Sequence, residues 1–218
     1  MKKLISIVSS LILVSTVTAY AEMGIGISGS MMKIEGDGTE TTRTSGELNK
    51  GSHSEDVTVP EIFVEMILDN GGAIGLSYIP TRDFGSKSRT DAESPADTDS
   101  DDGTYTAKAE LDNVIKVYGD IPMGSFAGST PYLTVGLQHV NLVTLESLNS
   151  GATYPNKNLF GYTVGLGLKG DVPYGSNLYY KGEVTYTDFE TYEADGAGNK
   201  VSADLDATAA RLSIGYKF

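Results

Sequence analysis

Between Ala210 and Phe218 apolar and polar side chains alternate without a break: Leu212, Ile214, Tyr216 and Phe218 are separated by Arg211, Ser213, Gly215 and Lys217. A period of two marks a strand with two unlike faces. The pattern recurs at about 23–34, 57–68, 73–82, 104–118, 131–145, 158–169, 177–189 and 204–218. Its apolar phase is clearest in Ile62, Val64, Met66 and Leu68, in Ile74, Leu76 and Tyr78, in Phe160, Tyr162, Val164, Leu166 and Leu168, and in Leu178, Tyr180, Val184 and Tyr186. The chain is therefore predicted to be all-β.

The complementary phase holds Glu61, Glu65, Lys108, Glu110, Asp112, Lys116, Lys169, Lys181, Glu183, Arg211 and Lys217, mixed with Gly24, Gly26, Gly75, Gly136, Gly161, Gly165 and Gly167. Alternation alone does not say which face is inside, because a soluble sheet also alternates. The glycines decide it. Glycine weakens a solvent-facing strand and offers nothing to pack. The interior of an eight-stranded barrel is only wide enough for side chains to fill, and needs small residues beside long ones. The polar phase thus lines a narrow lumen, the apolar phase meets lipid, and the fold expected is a transmembrane eight-stranded antiparallel up-and-down β-barrel.

The intervals between segments agree with this. They run long at 35–56, short at 69–72, long at 83–103, shorter at 119–130, moderate at 146–157, short at 170–176 and long at 190–203. Barrels of the outer membrane have short periplasmic turns and longer extracellular loops, which places the 69–72 turn in the periplasm. Phe84, Tyr105, Tyr132, Phe160, Tyr179, Phe189 and Tyr216, near strand ends, are expected to form the two interfacial girdles.

The N-terminal stretch combines Lys2 and Lys3, an uncharged apolar run from Leu4 to about Val17, and Ala19-Tyr20-Ala21. That order reads as a cleaved secretory signal over 1–21, with the barrel domain at 22–218. Cysteine is absent and the net charge is -13. The first excludes a disulfide scaffold, and the second argues against nucleic-acid partners.

At the level of this pattern the chain resembles the small eight-stranded outer-membrane barrels, of the kind of the OmpA membrane domain, OmpX and the porin-like barrel family. The resemblance rests on the final strand, where Leu212, Ile214 and Tyr216 alternate before Phe218. It implies location in the cell outer membrane of a Gram-negative-type envelope and a monomeric barrel. It also implies an assembly signal at Leu212, Ile214, Tyr216 and Phe218. The partners implied are the secretion translocon, the barrel-assembly machinery, outer-membrane lipids and lipopolysaccharide.

For function, the near-balance of charge on the inner phase predicts a lumen closed by ion pairs among Glu61, Glu65, Lys108, Glu110, Asp112, Lys116, Lys181, Glu183 and Arg211. A hairpin loop centred near residue 196 sets Lys181 opposite Arg211, with Glu183 diagonal to it. The role expected is structural and surface-displaying, with long acidic extracellular loops. The alternatives are a narrow porin-like solute or ion channel and an outer-leaflet lipid-modifying enzyme. Only His53, flanked by Ser52 and Ser54, and His139 could serve the enzyme. No catalytic residue and no cofactor are expected. Two matches to G-x-G-x-x-G, at 24–29 and 165–170, lack the following helix that a dinucleotide site needs. Asp97, Asp99 and Asp101 have the spacing of the first calcium-loop ligands, but Asp102 replaces the required glycine and Lys108 the bidentate glutamate. They are weak metal candidates, and a solvated loop is the reading preferred.

Overall fold

The computed structural model describes residues 21–42, 46, 48–91, 103–145, 154–173, 177–196 and 199–218. Its strands are β1 (Glu22–Thr42), β2 (Leu48–Ile67), β3 (Ala73–Ile79), β4 (Arg82–Asp91), β5 (Gly103–Pro122), β6 (Thr130–Thr144), β7 (Lys157–Asp171), β8 (Leu178–Phe189), β9 (Tyr192–Gly196) and β10 (Asn199–Lys217). Neighbours pair antiparallel around a closed ring of eight staves, two of them interrupted, β3 continuing as β4 and β8 as β9. The ring closes between β1 and β10, from Gly24 opposite Lys217 to Thr42 opposite Asn199. At its foot the Phe218 amide donates to the Met23 carbonyl at 2.9 Å.

The 69–72 turn is as short as expected. Gly71 takes φ 80°, and the Gly72 amide donates to Asn70 Oδ1 at 2.8 Å. The ends on this side are compact, but the other ends are not loops from the level predicted. β1 is 21 residues long, about 70 Å at the usual rise, whereas crossing a bilayer takes about 9–11 residues. The intervals expected as loops at 35–56 and 190–203 are largely strand, as are residues 83–91 of the interval 83–103.

The reason is a reversal of polarity partway up the wall. In the lower part, Met23, Ile25, Ile27 and Met31 of β1 point outward and are exposed, as are Val164 and Leu166 of β7 and Leu212, Ile214 and Tyr216 of β10. Above Met31 the outward positions become Lys33, Glu35 and Asp37 on β1, and Asp206 and Asp204 on β10. The inward positions become apolar there: Ile34, Val59, Ile79, Leu111, Val114, Val140, Leu142, Leu159, Tyr192 and Leu205 are buried together. The lower barrel is built for lipid outside and charge inside, and the upper barrel for water outside and a dry core inside. Alternation continues through the boundary, so the strand has no reason to stop.

Aromatic girdles flank the lipid belt, with Tyr78, Phe160, Tyr162 and Tyr186 above and Phe126, Tyr180, Tyr216 and Phe218 below, all exposed. Tyr132 and Tyr179, expected there, are buried inside, and Phe189 lines the upper lumen. The side chains of Phe84 and Tyr105 lie outside the described residues.

Candidate functional site: the filled lumen

The lower lumen gathers long side chains from six strands. Arg211 of β10 bridges Glu61 of β2 and Glu183 of β8. Lys116 of β5 reaches Glu61 at 3.4 Å. Lys181 of β8 pairs with Glu65 of β2 at 2.8 Å and with Asp120 of β5 at 2.7 Å, while Lys169 of β7 lies 3.7 Å from Asp120. Four cations thus face four carboxylates, and the side chains of all eight are at most 10 % exposed. Two tyrosines complete the set: the Tyr118 hydroxyl donates to Glu65 at 2.7 Å and the Tyr132 hydroxyl to Glu183 at 2.8 Å. Lys181 Nζ stands 4.8 Å from the Tyr118 ring centre, a cation–π distance.

Inward glycines make room for these rings. A Cβ at Gly75 would overlap the Tyr118 ring, and one at Gly167 the Tyr132 ring. The glycines therefore mark the lumen, as the sequence indicates, but as recesses for buried aromatics rather than as filler beside charges.

Above the ions lies a neutral polar layer. Gln138 Nε2 donates to Thr163 at 2.7 Å and to Thr187 at 2.9 Å, and the two threonine hydroxyls are 2.8 Å apart. The apolar core follows. A void at the boundary, beside Glu61, Lys116 and Gln138, and another in the core, beside Ile34 and Leu111, each measure about 20 Å³. Each has room for about one water molecule.

Three residues assigned to the lumen from sequence are not in it. Lys108, Glu110 and Asp112 point outward, where Lys108 bridges Glu110 at 2.9 Å and Asp83 at 3.0 Å. A bulge moves them. Two residues of β5, Asn113 and Val114, stand against Val140 alone, and Asn113 adopts φ 52°. The extra residue shifts the alternation by one, so every side chain above it changes face. Asp120 takes the anionic place instead. It was missed because Gly119 and Asp120 lie past the expected strand end at 118, whereas β5 runs to Pro122. The β8–β10 register also differs by two residues from expectation, since Arg211 stands directly opposite Glu183 and Lys181 opposite Ser213.

The other candidates are separated. His53 lies on the inward phase of β2, next to Gly85, while Ser52 and Ser54 are exposed on the other phase. Period two sets a histidine and its chain neighbours on opposite faces, so neither Ser52 nor Ser54 is placed to pair with it. His139 faces outward and packs edge-on against Phe160 at 5.2 Å between ring centres. Asp97, Asp99 and Asp101 lie outside the described residues, as do residues 1–20 of the expected signal. Leu212, Ile214 and Tyr216 line up outward beside the barrel's closing ladder, with Phe218 at its foot.

No protein-family profile matches the chain. Among curated proteins, the 25 kDa outer-membrane immunogenic protein of Brucella canis is 34% identical over 88 residues, 40% of this chain and 38% of that protein. Among solved structures, the outer membrane protein OprG from Pseudomonas aeruginosa superposes with TM-score 0.57 at 17% identity, covering 91% of this chain and 96% of that one. The chain is a small eight-stranded outer-membrane β-barrel. The outer membrane protease OmpT from Escherichia coli also superposes, with TM-score 0.50 at 9% identity over 94% of this chain and 99% of that one. The barrel is accordingly placed in the outer membrane.

The upper wall gathers acid, only part of it paired: Lys33 bridges Glu35 at 2.7 Å. Asp206 stands directly opposite Glu35 on one side and Asp188 on the other. Burial, and then Glu35 and Asp188, hold its carboxyl above the usual carboxylate range. A raised folded pKa means that the folded state favours the proton, so this site stabilises the barrel at acid pH and loses that contribution as pH rises through the folded pKa. Asp206→Asn is expected to raise the unfolding midpoint slightly at pH 7, by less than about 0.5 kcal/mol at this half-buried, solvent-screened position, and to leave it unchanged at pH 3. Urea titrations at the two pH values read the difference.

Proposed function

We propose that this outer-membrane barrel is a non-conducting structural protein that displays a rigid, acidic β-walled extension outside the cell. The observation that carries the reading is a lumen filled at every level, by ion pairs, then amides and hydroxyls, then packed aliphatic side chains. A conducting pore needs a continuous wet path, and voids of about 20 Å³ do not make one. Surface display is supported by the upper strands, which carry the wall far beyond the lipid belt. The lipid belt faces membrane lipids and, at its upper rim, lipopolysaccharide. The outward row Leu212, Ile214, Tyr216 and Phe218 is the surface offered to the assembly machinery after export by the translocon.

The channel reading is tested in a planar bilayer. Purified, refolded barrel is expected to give no steady conductance at moderate voltage. Stable ohmic steps that scale with salt would overturn the closed-lumen reading and promote the channel.

A further inference from the structure

One cation of the lower lumen stands where a covalent bond, beyond an ion pair, is within reach. Lys181 Nζ lies 2.7 Å from Asp120 Oδ2 and 2.8 Å from Glu65 Oε2, and the three side chains are at most 2 % exposed. The ring centres of Phe63, Tyr118 and Tyr132 lie 5.7, 4.8 and 5.4 Å from the same nitrogen, so aromatic carbon surrounds the contact and keeps bulk water from it. The Tyr118 hydroxyl donates to the Glu65 oxygen that Lys181 also reaches and fixes the orientation of that carboxylate. Asp120 Oδ1 and Glu65 Oε1 have no hydrogen-bond partner among the described residues.

An amine held against one carboxyl group, with a second carboxylate in hydrogen-bond reach of the amine, has the parts needed to form an amide. In water the reaction is disfavoured, because the separate ions are well solvated and water competes for the product. Here both ions are already stripped of water, and a neutral amide in their place removes two buried charges. Holding the reactants at contact supplies effective molarities of about 10⁵–10⁸ M. Lys108 shows the contrast on the same chain. It lies 3.0 Å from Asp83 and 2.9 Å from Glu110, but on the outer wall with its side chain 35 % exposed, where the solvated ions are the stable form.

We propose that the folded barrel joins Lys181 to Asp120 through an isopeptide bond, with Glu65 as the proton relay. Lys181 passes one ammonium proton to Asp120 Oδ2, and the lone pair of the neutral amine attacks Asp120 Cγ to form the N–C bond. Glu65 takes a second proton from Nζ and delivers it to the protonated oxygen, whose C–O bond breaks to release water. The third proton stays on Nζ as the amide N–H. One ammonium and one carboxylate become one amide and one water, nothing is oxidised or reduced, and Glu65 ends ionised as it began. Lys169, 3.7 Å from Asp120 and itself without a hydrogen-bond partner among the described residues, sets positive charge beside the carboxyl group where negative charge develops in the tetrahedral intermediate. β5 and β8 are three strands apart around the ring, and the two residues are 61 apart in sequence, so the bond ties the lower lumen across its width.

The test is the mass of the full barrel taken folded from outer membranes and then denatured. The chain is expected to be lighter by one water molecule than the sum of its residues. Fragmentation after peptic digestion is expected to place the loss in a branched peptide joining Lys181 to Asp120, with Lys108 unlinked, which separates the link from an aspartate dehydrated within its own backbone. Chain held in urea is expected to keep its full mass, and refolded barrel to lose the water only after folding, which heat-modifiable gel mobility follows independently. Glu65→Gln is expected to slow the mass loss by about a hundredfold or more in barrel that has folded, and Lys181→Arg to abolish it. Full mass in the folded, unmodified barrel, or a loss mapped to any other pair, would overturn the proposal whether or not the variants fold. An unchanged rate in folded Glu65→Gln would remove the relay.

Discussion

Arg211→Ala is expected to lower the unfolding free energy of the barrel by about 3–5 kcal/mol, the usual result of taking one partner from a buried ion pair. Among the described residues Arg211 is the cation that bridges both Glu61 and Glu183, and its side chain is 6 % exposed. Its removal leaves two carboxylates in a narrow space, with Lys116 at 3.4 Å from Glu61 and the Tyr132 hydroxyl bound to Glu183 as the remaining partners. Glu183→Ala is expected to be similarly damaging. The double variant Arg211→Ala/Glu183→Ala is expected to lose less than the two singles summed, because the second change removes the group that the first stranded. Urea-induced unfolding in lipid vesicles measures all three. Additive losses would show that the groups do not act as one network.

The second large effect is a face-dependent one that changes sides along the barrel axis. Val164→Arg in the lipid belt is expected to cost about 2–4 kcal/mol, the range for a cation near the bilayer midplane. Leu159, five residues up β7, is fully buried on the opposite face, within the upper core. Leu159→Arg is expected to cost more than about 4 kcal/mol, because none of the described residues buried in that core is a carboxylate that could pair with the charge. Its outward neighbour Asn158 is exposed, and Asn158→Arg is expected to change stability by less than about 0.5 kcal/mol. If Leu159→Arg proved as mild as Asn158→Arg, the upper lumen would be wet rather than packed.

The lower barrel was legible because two independent signals coincide there, the apolar phase outside and the glycine-rich charged phase inside. From the boundary at Met31 and Lys33 the same alternation carries the opposite meaning. Ile34 lies in the core while the charges flanking it in sequence lie in water. Reading only for outward apolar residues therefore ends the strand at 34, although β1 continues to Thr42. The network was half legible. Glu61, Glu65, Lys116, Lys181, Glu183 and Arg211 follow from phase, whereas Lys108, Glu110 and Asp112 were displaced by one inserted residue at Asn113. A non-glycine residue at φ 52° leaves little trace in sequence beyond the tolerance of asparagine for that conformation. Tyr118 and Tyr132 were hidden because aromatics are expected on the lipid face. Their partner glycines, Gly75 and Gly167, are the signal that places them inside.

The most direct test of this reversal uses the absence of cysteine from the chain. Single variants Met31→Cys, Lys33→Cys, Ile34→Cys and Glu35→Cys, folded in lipid vesicles, are exposed to a membrane-impermeant maleimide and the labelling rates compared. Fast labelling is predicted at positions 33 and 35, with almost none at 31, covered by lipid, or at 34, covered by the upper core. Labelling at 34 as fast as at 33, or at 31 as fast as at 35, would contradict the account.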